Sequence, residues 1–365
     1  MTPDHGRAID GVRTIAVLRP SALGDFIFCL PALHALKLCY PQARITYIGK
    51  PWHADFLRGR AGPVDEVVVM PPYPGVGAPA PAPERGVQAA GLGDNTDAGR
   101  FIAGMRARRF DLALQLYGGG RHANPLVLGF GARCTVGLQA GDAAPLDRNL
   151  PHVGVVNKRL QLLEVAALAG AHAWPMRQRL HVSARDREEA ARCLPPAAGD
   201  TLVLLQPGSS DARRCWPAAQ FARLGDALVA RGARVIVNGT REEAPLVASI
   251  LAAMRHPAAD LSGNASLPAL CGLLERCALV VSNDTGPLHL ALEIGTPAVG
   301  IYWLTNLVES APLHQQHHRA AVSLQVHCAV CGAENITRRC PHDSSFVAAV
   351  PFDDVLAHAL ALLHL

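Results

Sequence analysis

Residues 277–303 read CALVVSNDTGPLHLALEIGTPAVGIYW. An apolar, β-branched run, residues 278–281, stops abruptly at small polar residues, Ser282 to Thr285. A Gly–Pro pair then opens a run with helical spacing. Gly295 and Pro297 close that run, and a second apolar stretch follows at residues 298–303. Strand, loop, helix and strand in so short a span form the repeating unit of a parallel sheet with helices packed on it.

The loop in this unit has a specific chemistry. Thr285 or Asp284 is positioned to cap a helix that begins Gly286–Pro287, where proline is tolerated because its missing N–H has no helical partner to lose. Such a helix presents unpaired N–H groups at the carboxyl end of a strand, a site suited to a diphosphate, and Gly286 lets a ligand approach the backbone closely. The plainer reading is a well-capped βα turn in which Asp284 and His289 are merely hydrogen-bonded.

The same alternation appears twice along the chain. Near the start, TIAVLR (14–19) reads as a strand, PSALGD (20–25) as a loop and FIFCLPALHALKLCY (26–40) as a helix, with Phe28, Leu30, Leu33, Leu36 and Leu38 near one side. Pro31 predicts either an irregular first turn or a helix that begins near Leu30. ARITYIG, VDEVVVM, FDLALQL and CTVGL follow as strands, with a helix over 96–109. Residues 71–99 are rich in Pro, Gly and Ala and read as a mobile surface loop. A polar helix over 183–199, ending in Pro–Pro, reads as an interdomain segment.

Alternation then restarts. TLVLLQ is a strand, PGSSDARRCWP a loop, AAQFARLGDALVARG an amphipathic helix closed by Gly232, RVIVNG a strand and TREEAPLVASILAAM a helix. Two such arrays imply an α/β protein with two Rossmann-like domains, residues 1–182 and 200–350, and a ligand site between them at the carboxyl ends of the strands.

Composition sets outer limits. The 365 residues exceed one ordinary core and suit two domains. The net charge is only +4; residues 1–150 carry 16 Lys and Arg against 12 Asp and Glu, so the whole excess lies there. That bias fits an anionic partner and falls far short of a nucleic-acid binder. Apolar runs are broken by Glu, Gly and Pro, and the N-terminus lacks the basic-then-apolar pattern of an export signal, so a cytoplasmic protein is expected. Cys29, Cys39, Cys134, Cys193, Cys215, Cys271 and Cys277 are scattered and read as reduced, mostly buried thiols.

Two further loops carry candidate chemistry. PGSSDARRCWP offers hydroxyls (Ser209, Ser210) and guanidiniums (Arg213, Arg214), both suited to phosphate oxygens; alternatively it is a solvated basic turn. RPSALGD ends in Asp25, a carboxylate in a glycine loop able to serve as a general base, or simply to stabilise the helix N-terminus. Ser21 and Gly24 of the same loop are candidate substrate contacts.

Taken together, 17–49, 204–243 and 279–303, with FDLALQLYGGGR at 110–121, resemble glycosyltransferase family 9, the ADP-heptose:lipopolysaccharide heptosyltransferases. The likeness runs from about residue 14 to 304 in the family's order, and NDTGPLHLA is its most specific segment. It implies a GT-B fold, two Rossmann-like domains facing across a cleft, with the acceptor on the first and the nucleotide-sugar on the second. The last helix of such folds commonly crosses back, and residues 351–365 are a candidate. Asp25 matches the catalytic base of an inverting transfer through an oxocarbenium-like transition state. Arg214, Ser209, Ser210 and the amides at Thr285–Gly286 would stabilise the departing nucleoside diphosphate. No divalent cation is then required for catalysis. Glu242 or Glu243 would bind the ribose hydroxyls, His289 would contact the diphosphate or hold the loop, and Arg121 and His122 would meet acceptor phosphates. Relatives often carry Lys where this chain has Arg214; a planar fork replaces a point charge, and the adjacent Arg213 is an alternative.

The implied function is transfer of heptose from ADP-heptose to a lipopolysaccharide inner-core acceptor by an enzyme peripheral to the inner membrane, with no nucleic-acid partner. The rivals are another donor or a protein hydroxyl acceptor, a nucleotide-sugar epimerase, and a non-catalytic nucleotide-sugar binder.

HCAVCGAENITRRCPH, residues 327–342, adds a metal-ligand pattern: Cys328, Cys331 and Cys340 with His327 and His342 beside them. Three thiols and His342 make a candidate closed site for structural zinc or iron; the alternative is reduced, unliganded thiols. The autotransporter heptosyltransferases hold iron there with four cysteines. The fourth is missing here, which argues against placing this chain in that group.

Overall fold

The computed structural model describes residues 6–78, 96–173, 179–197, 199–314 and 316–364. It divides into two compact units, Met1–Gln178 and Arg179–Leu365.

The first unit runs β1 (Thr14–Leu18), α1 (Leu23–Cys39), β2 (Arg44–Gly49), α2 (Pro51–Leu57), β3 (Glu66–Val69), β4 (Tyr73–Pro74), β5 (Gly77–Ala78), α3 (Asp97–Ala107), β6 (Leu112–Gln115), α4 (Ala123–Gly129), β7 (Cys134–Gln139), β8 (Arg148–Pro151) and α5 (Lys158–Leu168). Its main sheet is parallel, in the order β3-β2-β1-β6-β7-β8. The sequence runs outward from β1 to β3, then returns to the other side of β1 with β6. That reversal leaves a crevice at the carboxyl ends of β1 and β6, where Rossmann-type sheets bind ligands.

The second unit repeats the plan: α6 (Ala184–Cys193), β9 (Thr201–Gln206), α7 (Ala218–Val229), β10 (Ala233–Val237), α8 (Ala244–Ala253), β11 (Ala259–Asp260), α9 (Leu267–Arg276), β12 (Leu279–Asn283), α10 (Gly286–Ile294), β13 (Ala298–Trp303), α11 (Leu304–Ser310), β14 (His318–Ser323) and α12 (Phe352–Leu363). Its parallel sheet has the order β11-β10-β9-β12-β13-β14, with the reversal between β9 and β12. β9 and β12 are the central strands and are buried almost throughout, which is why they read as continuous apolar runs. α12 packs on β12, β13 and β14, with Val355 and Ala359 fully buried.

Four local expectations change. α1 is unbroken from Leu23 to Cys39, with Pro31 inside it. An internal proline costs about 3 kcal/mol, and the flanking turns bury Phe26, Ile27, Leu30, Leu33 and Leu36, each contributing about 1.5–3 kcal/mol. Leu38, placed on the buried side by spacing, is 55% exposed. Within 71–99, residues 73–78 form a small ribbon with Tyr73 and Val76 buried in the first core, α3 begins at Asp97 with Thr96 capping Gly99 N–H at 3.0 Å, and 79–95 lie outside the described residues. α6 is no linker: it packs on α9, closely enough that a Cβ on Gly272 would lie 2.3 Å from the Asp186 carbonyl, and a Ser183–Asp186 capping box starts it.

Candidate active site

In the first unit the loop after β1 is organised by Arg19, which is 7% exposed. Its guanidinium spans the reversal: Nη1 donates to the Leu116 carbonyl beyond β6, Nε to the Asp25 carbonyl at 2.8 Å and Nη2 to the Asp25 carboxylate at 2.9 Å. Asp25 sits in the first turn of α1, with its side chain 46% exposed, so the carboxylate is both anchored and reachable. The loop is pinned further by Tyr47, whose hydroxyl donates to the Arg19 carbonyl at 2.6 Å, and by His53, 3.3 Å from that hydroxyl. His53 accepts from the Lys50 N–H at 2.9 Å, so its Nδ1 is unprotonated. Burial pushes the His53 pKa down to about 3. The Ser21 hydroxyl is buried and lies 3.5 Å from the Arg19 carbonyl; Gly24 is partly exposed one residue before Asp25. Arg121 lies on the surface, paired with Asp142 at 2.7 Å. The ring of His122, which precedes α4, packs against Gly75.

In the second unit two loops meet at the reversal. Asn283, fully buried, joins them: its Oδ1 accepts from the Trp216 N–H at 3.0 Å and its Nδ2 donates to the Pro207 carbonyl at 2.6 Å. Asp284 follows, buried beneath the N-terminus of α10. It accepts from His289 Nε2 at 2.9 Å, the Ser310 hydroxyl at 2.7 Å and Arg214 Nη1 at 3.3 Å. Burial raises the Asp284 pKa, but His289, Ser310 and Arg214 outweigh it and hold the carboxyl below its ordinary value. Asp284 is therefore an anchor, not a cap. Thr285 occupies the N-cap position of α10, yet its side chain makes no capping hydrogen bond, contrary to the sequence reading. Geometry explains this: Thr285 is fully extended (φ −156°, ψ 168°) and Asp284 points inward to three other donors. The first turn from Gly286 thus keeps amides that no side chain of the loop caps.

The two arginines of the other loop differ. Arg213 is committed to Asp211, with bonds of 2.7 to 3.1 Å, and lies 5.5 Å from the Trp303 ring centroid. Arg214 touches Asp284 and the Ser210 hydroxyl (3.2 Å), and its Nε is buried without a hydrogen-bond partner. Ser209 is partly exposed at the loop entrance and Ser210 is exposed. The two glutamates also separate. Glu243 accepts from the Thr240 N–H at 2.9 Å and lies against Gly208, where a Cβ would stand 1.9 Å from its Oε1. Glu242 is exposed.

The cysteine tail closes on itself. Ligand atoms of Cys328, Cys331, Cys340 and His342 lie within 4.8 Å of one another, whereas His327 is exposed and pairs with Glu334 in a β-bridge. Gly332 (φ +70°) turns the Cys-x-x-Cys segment back, donating to the Cys328 carbonyl at 2.9 Å. Backbone N–H groups of Cys331 and Val330 and the Ser344 hydroxyl hold the Cys328 thiol below its ordinary pKa. Among the described residues the remaining cysteines form no disulfide; Cys29, Cys271 and Cys277 are buried, and Cys39, Cys134, Cys193 and Cys215 only partly so.

Sequence reasoning passed over Arg19, Asn283 and Ser310. Arg19 had a signal, an arginine at the exit of an apolar strand six residues from an aspartate. Asn283 stands inside the quoted motif, but nothing local indicates which loop it ties. Ser310, remote in sequence from Asp284, has no sequence signal.

Two Rossmann-like units, one presenting an anchored carboxylate and the other an uncapped helix start beside an arginine, define a nucleotide-sugar glycosyltransferase of GT-B fold. Glycosyltransferase family 9 (heptosyltransferase) matches residues 98–337, and the chain belongs to that family. It is 25% identical over 327 residues to lipopolysaccharide heptosyltransferase 2 of Salmonella typhimurium, covering 84% of this chain and 87% of that one. The structure of E. coli ADP-heptose LPS heptosyltransferase II shares the fold with a TM-score of 0.71 and 19% identity, over 96% of this chain and 98% of that one. The iron-containing dodecameric glycosyltransferase TibC of enterotoxigenic E. coli shares it more distantly, with a TM-score of 0.51 and 14% identity over 98% and 77% of the two chains. Among the described residues no helix is long and apolar enough to cross a membrane.

Proposed function

We propose that this protein is an inverting heptosyltransferase that moves heptose from ADP-heptose to the inner core of lipopolysaccharide. The observation that carries the reading is the junction of Arg214, Asp284 and the uncapped start of α10 at the sheet reversal. A guanidinium anchored on one edge, beside free backbone amides, is what a departing diphosphate needs. The E. coli neighbour, an ADP-heptose enzyme, and the Salmonella relative, which acts on lipopolysaccharide, support the donor and the acceptor.

In this account Asp25 accepts the proton of the acceptor hydroxyl while that oxygen bonds to the anomeric carbon. The bond from that carbon to the diphosphate oxygen breaks, and its electron pair leaves on ADP. Arg19 holds one carboxylate oxygen of Asp25 and so fixes the direction of the group. Arg214, the hydroxyls of Ser209 and Ser210 and the amides at Thr285–Gly286 take up the growing negative charge. Glu243, facing the Gly208 loop, binds the ribose hydroxyls; Glu242 does not. Arg213, spent on Asp211, leaves the phosphate role to Arg214. Because the acceptor is a lipid, association with the inner membrane is peripheral. Calorimetric titration with ADP, UDP and GDP tests the donor: preference for ADP is expected, and preference for UDP or GDP overturns it.

We further infer that Cys328, Cys331, Cys340 and His342 hold a structural metal ion. The His342 Nδ1 is buried without a hydrogen-bond partner, and three sulfurs with one imidazole form the closed donor set of structural zinc. Such an ion supplies a cross-link and takes no part in glycosyl transfer.

A further inference from the structure

The metal-ligand cluster is not an isolated appendage. Phe346 N–H donates to the Arg213 carbonyl at 2.7 Å, and the Ser345 hydroxyl donates to the Cys215 carbonyl at 2.7 Å. Both acceptors lie in the loop that carries Ser209, Ser210 and Arg214. Arg339, next to Cys340, stands 3.9 Å from Asp211, the residue that grips Arg213. Apolar packing reinforces these ties. The rings of Phe346 and Trp303 pack tilted at 39° with centroids 4.7 Å apart, and Cys328, Cys340, Phe346 and Trp216 belong to one buried cluster.

The tail has little regular structure of its own. Between β14 and α12 the described chain is bends, turns and a single β-bridge. What orders it is the knuckle at Cys328–Gly332, where Cys328 N–H donates to the Ala333 carbonyl at 2.9 Å, and Asn335, which accepts from the Cys340 N–H at 3.2 Å. The ligands lie at both ends of this segment, so a bound ion closes it, and residues 345–346 begin only a few residues after the last ligand.

We propose that metal occupancy of the Cys328–Cys331–Cys340–His342 cluster sets the order of the phosphate loop, residues 209–216, and thereby the affinity of the second unit for a nucleoside diphosphate. This rests on the metal reading above and on the assignment of the loop to the diphosphate. The ion acts through position alone: it clamps the tail, the tail holds the Arg213 and Cys215 carbonyls, and Arg214 stays directed at the start of α10. The ligands are positioning residues and do not touch the substrate.

The test uses the full chain, loaded with zinc and then stripped with a chelator. Metal is counted by elemental analysis, ADP affinity by calorimetry, and loop order by hydrogen exchange at 209–216, with β9 and β12 as internal controls. One zinc per chain is expected. Stripping is expected to speed exchange at 209–216 while the two strands stay protected, and to weaken ADP binding about tenfold, the equivalent of one charge-assisted hydrogen bond. Cys331→Ser, at an exposed ligand, reproduces both effects, and Cys331→His, which restores a ligand, reverses them. Ser345→Ala keeps the zinc but loosens the loop. If stripped and loaded protein exchange alike at 209–216 and bind ADP alike, the coupling is wrong and the donor site stands. If neither form binds ADP, the donor assignment falls and the exchange difference still decides whether the metal orders the loop. If no metal is retained, the metal reading fails and the coupling with it.

Discussion

Arg19 holds Asp25 by two bonds at once, 2.8 Å to its carbonyl and 2.9 Å to its carboxylate, from a buried position at the end of β1. A single guanidinium thus fixes both the first turn of α1 and the direction of its only acidic side chain. The same group reaches the Leu116 carbonyl, so strand, helix and the opposite loop are set by one residue.

Arg19→Lys keeps the charge and loses the fork. Steady-state kinetics are expected to show kcat falling roughly 10²-fold through misorientation of Asp25, with ADP affinity unchanged. An unchanged kcat contradicts the positioning role.

Arg214→Ala removes the group beside the α10 start. ADP binding should weaken by about 2 kcal/mol, roughly thirtyfold. Arg213→Ala should instead lower Tm, because Asp211 loses its partner, while ADP affinity shifts less than about threefold. Reversed behaviour of the pair would move the phosphate role to Arg213.

Glu243→Gln keeps an acceptor for the Thr240 N–H but removes the charge facing the Gly208 loop. A loss of about 1 kcal/mol in ADP binding is expected, with Glu242→Gln neutral. Calorimetry on the two variants separates them.

His53 makes stability pH-dependent. Its folded pKa, about 3, lies below the ordinary histidine value, so the unfolded chain binds a proton that the folded chain refuses. Stability is therefore complete above about pH 6.5 and falls as pH drops towards 3, by at most about 1.4 kcal/mol per pH unit from this group. Denaturant melts across that range should show the slope, and His53→Gln should flatten it. The carboxyl of Asp284, held low, adds a separate loss below the ordinary carboxylate range as it protonates.

These sites were unequally legible in the sequence. The strand–loop–helix units could be read because central parallel strands are apolar on both faces and the turns between them are marked by Gly and Pro. Pro31 misled because local propensity is outweighed by the tertiary burial of Phe26, Ile27, Leu33 and Leu36. The choice between Arg213 and Arg214, or Glu242 and Glu243, depends on side-chain direction, which neighbouring positions in a sequence do not encode. His342, the fourth ligand expected from the sequence, lies with the three thiols, and His327 is exposed.

The role of Asp25 as acceptor of the proton in a transfer from ADP-heptose is open to direct measurement. The direct measurement incubates wild type and Asp25→Asn with ADP-heptose and heptose-deficient lipopolysaccharide and follows transferred sugar by mass, with ADP affinity measured in parallel. Transfer by the wild type is expected, and in the variant turnover lowered by about 10³-fold with ADP affinity retained. Undiminished transfer by Asp25→Asn, or ADP binding by the wild type without any transfer, would contradict that role.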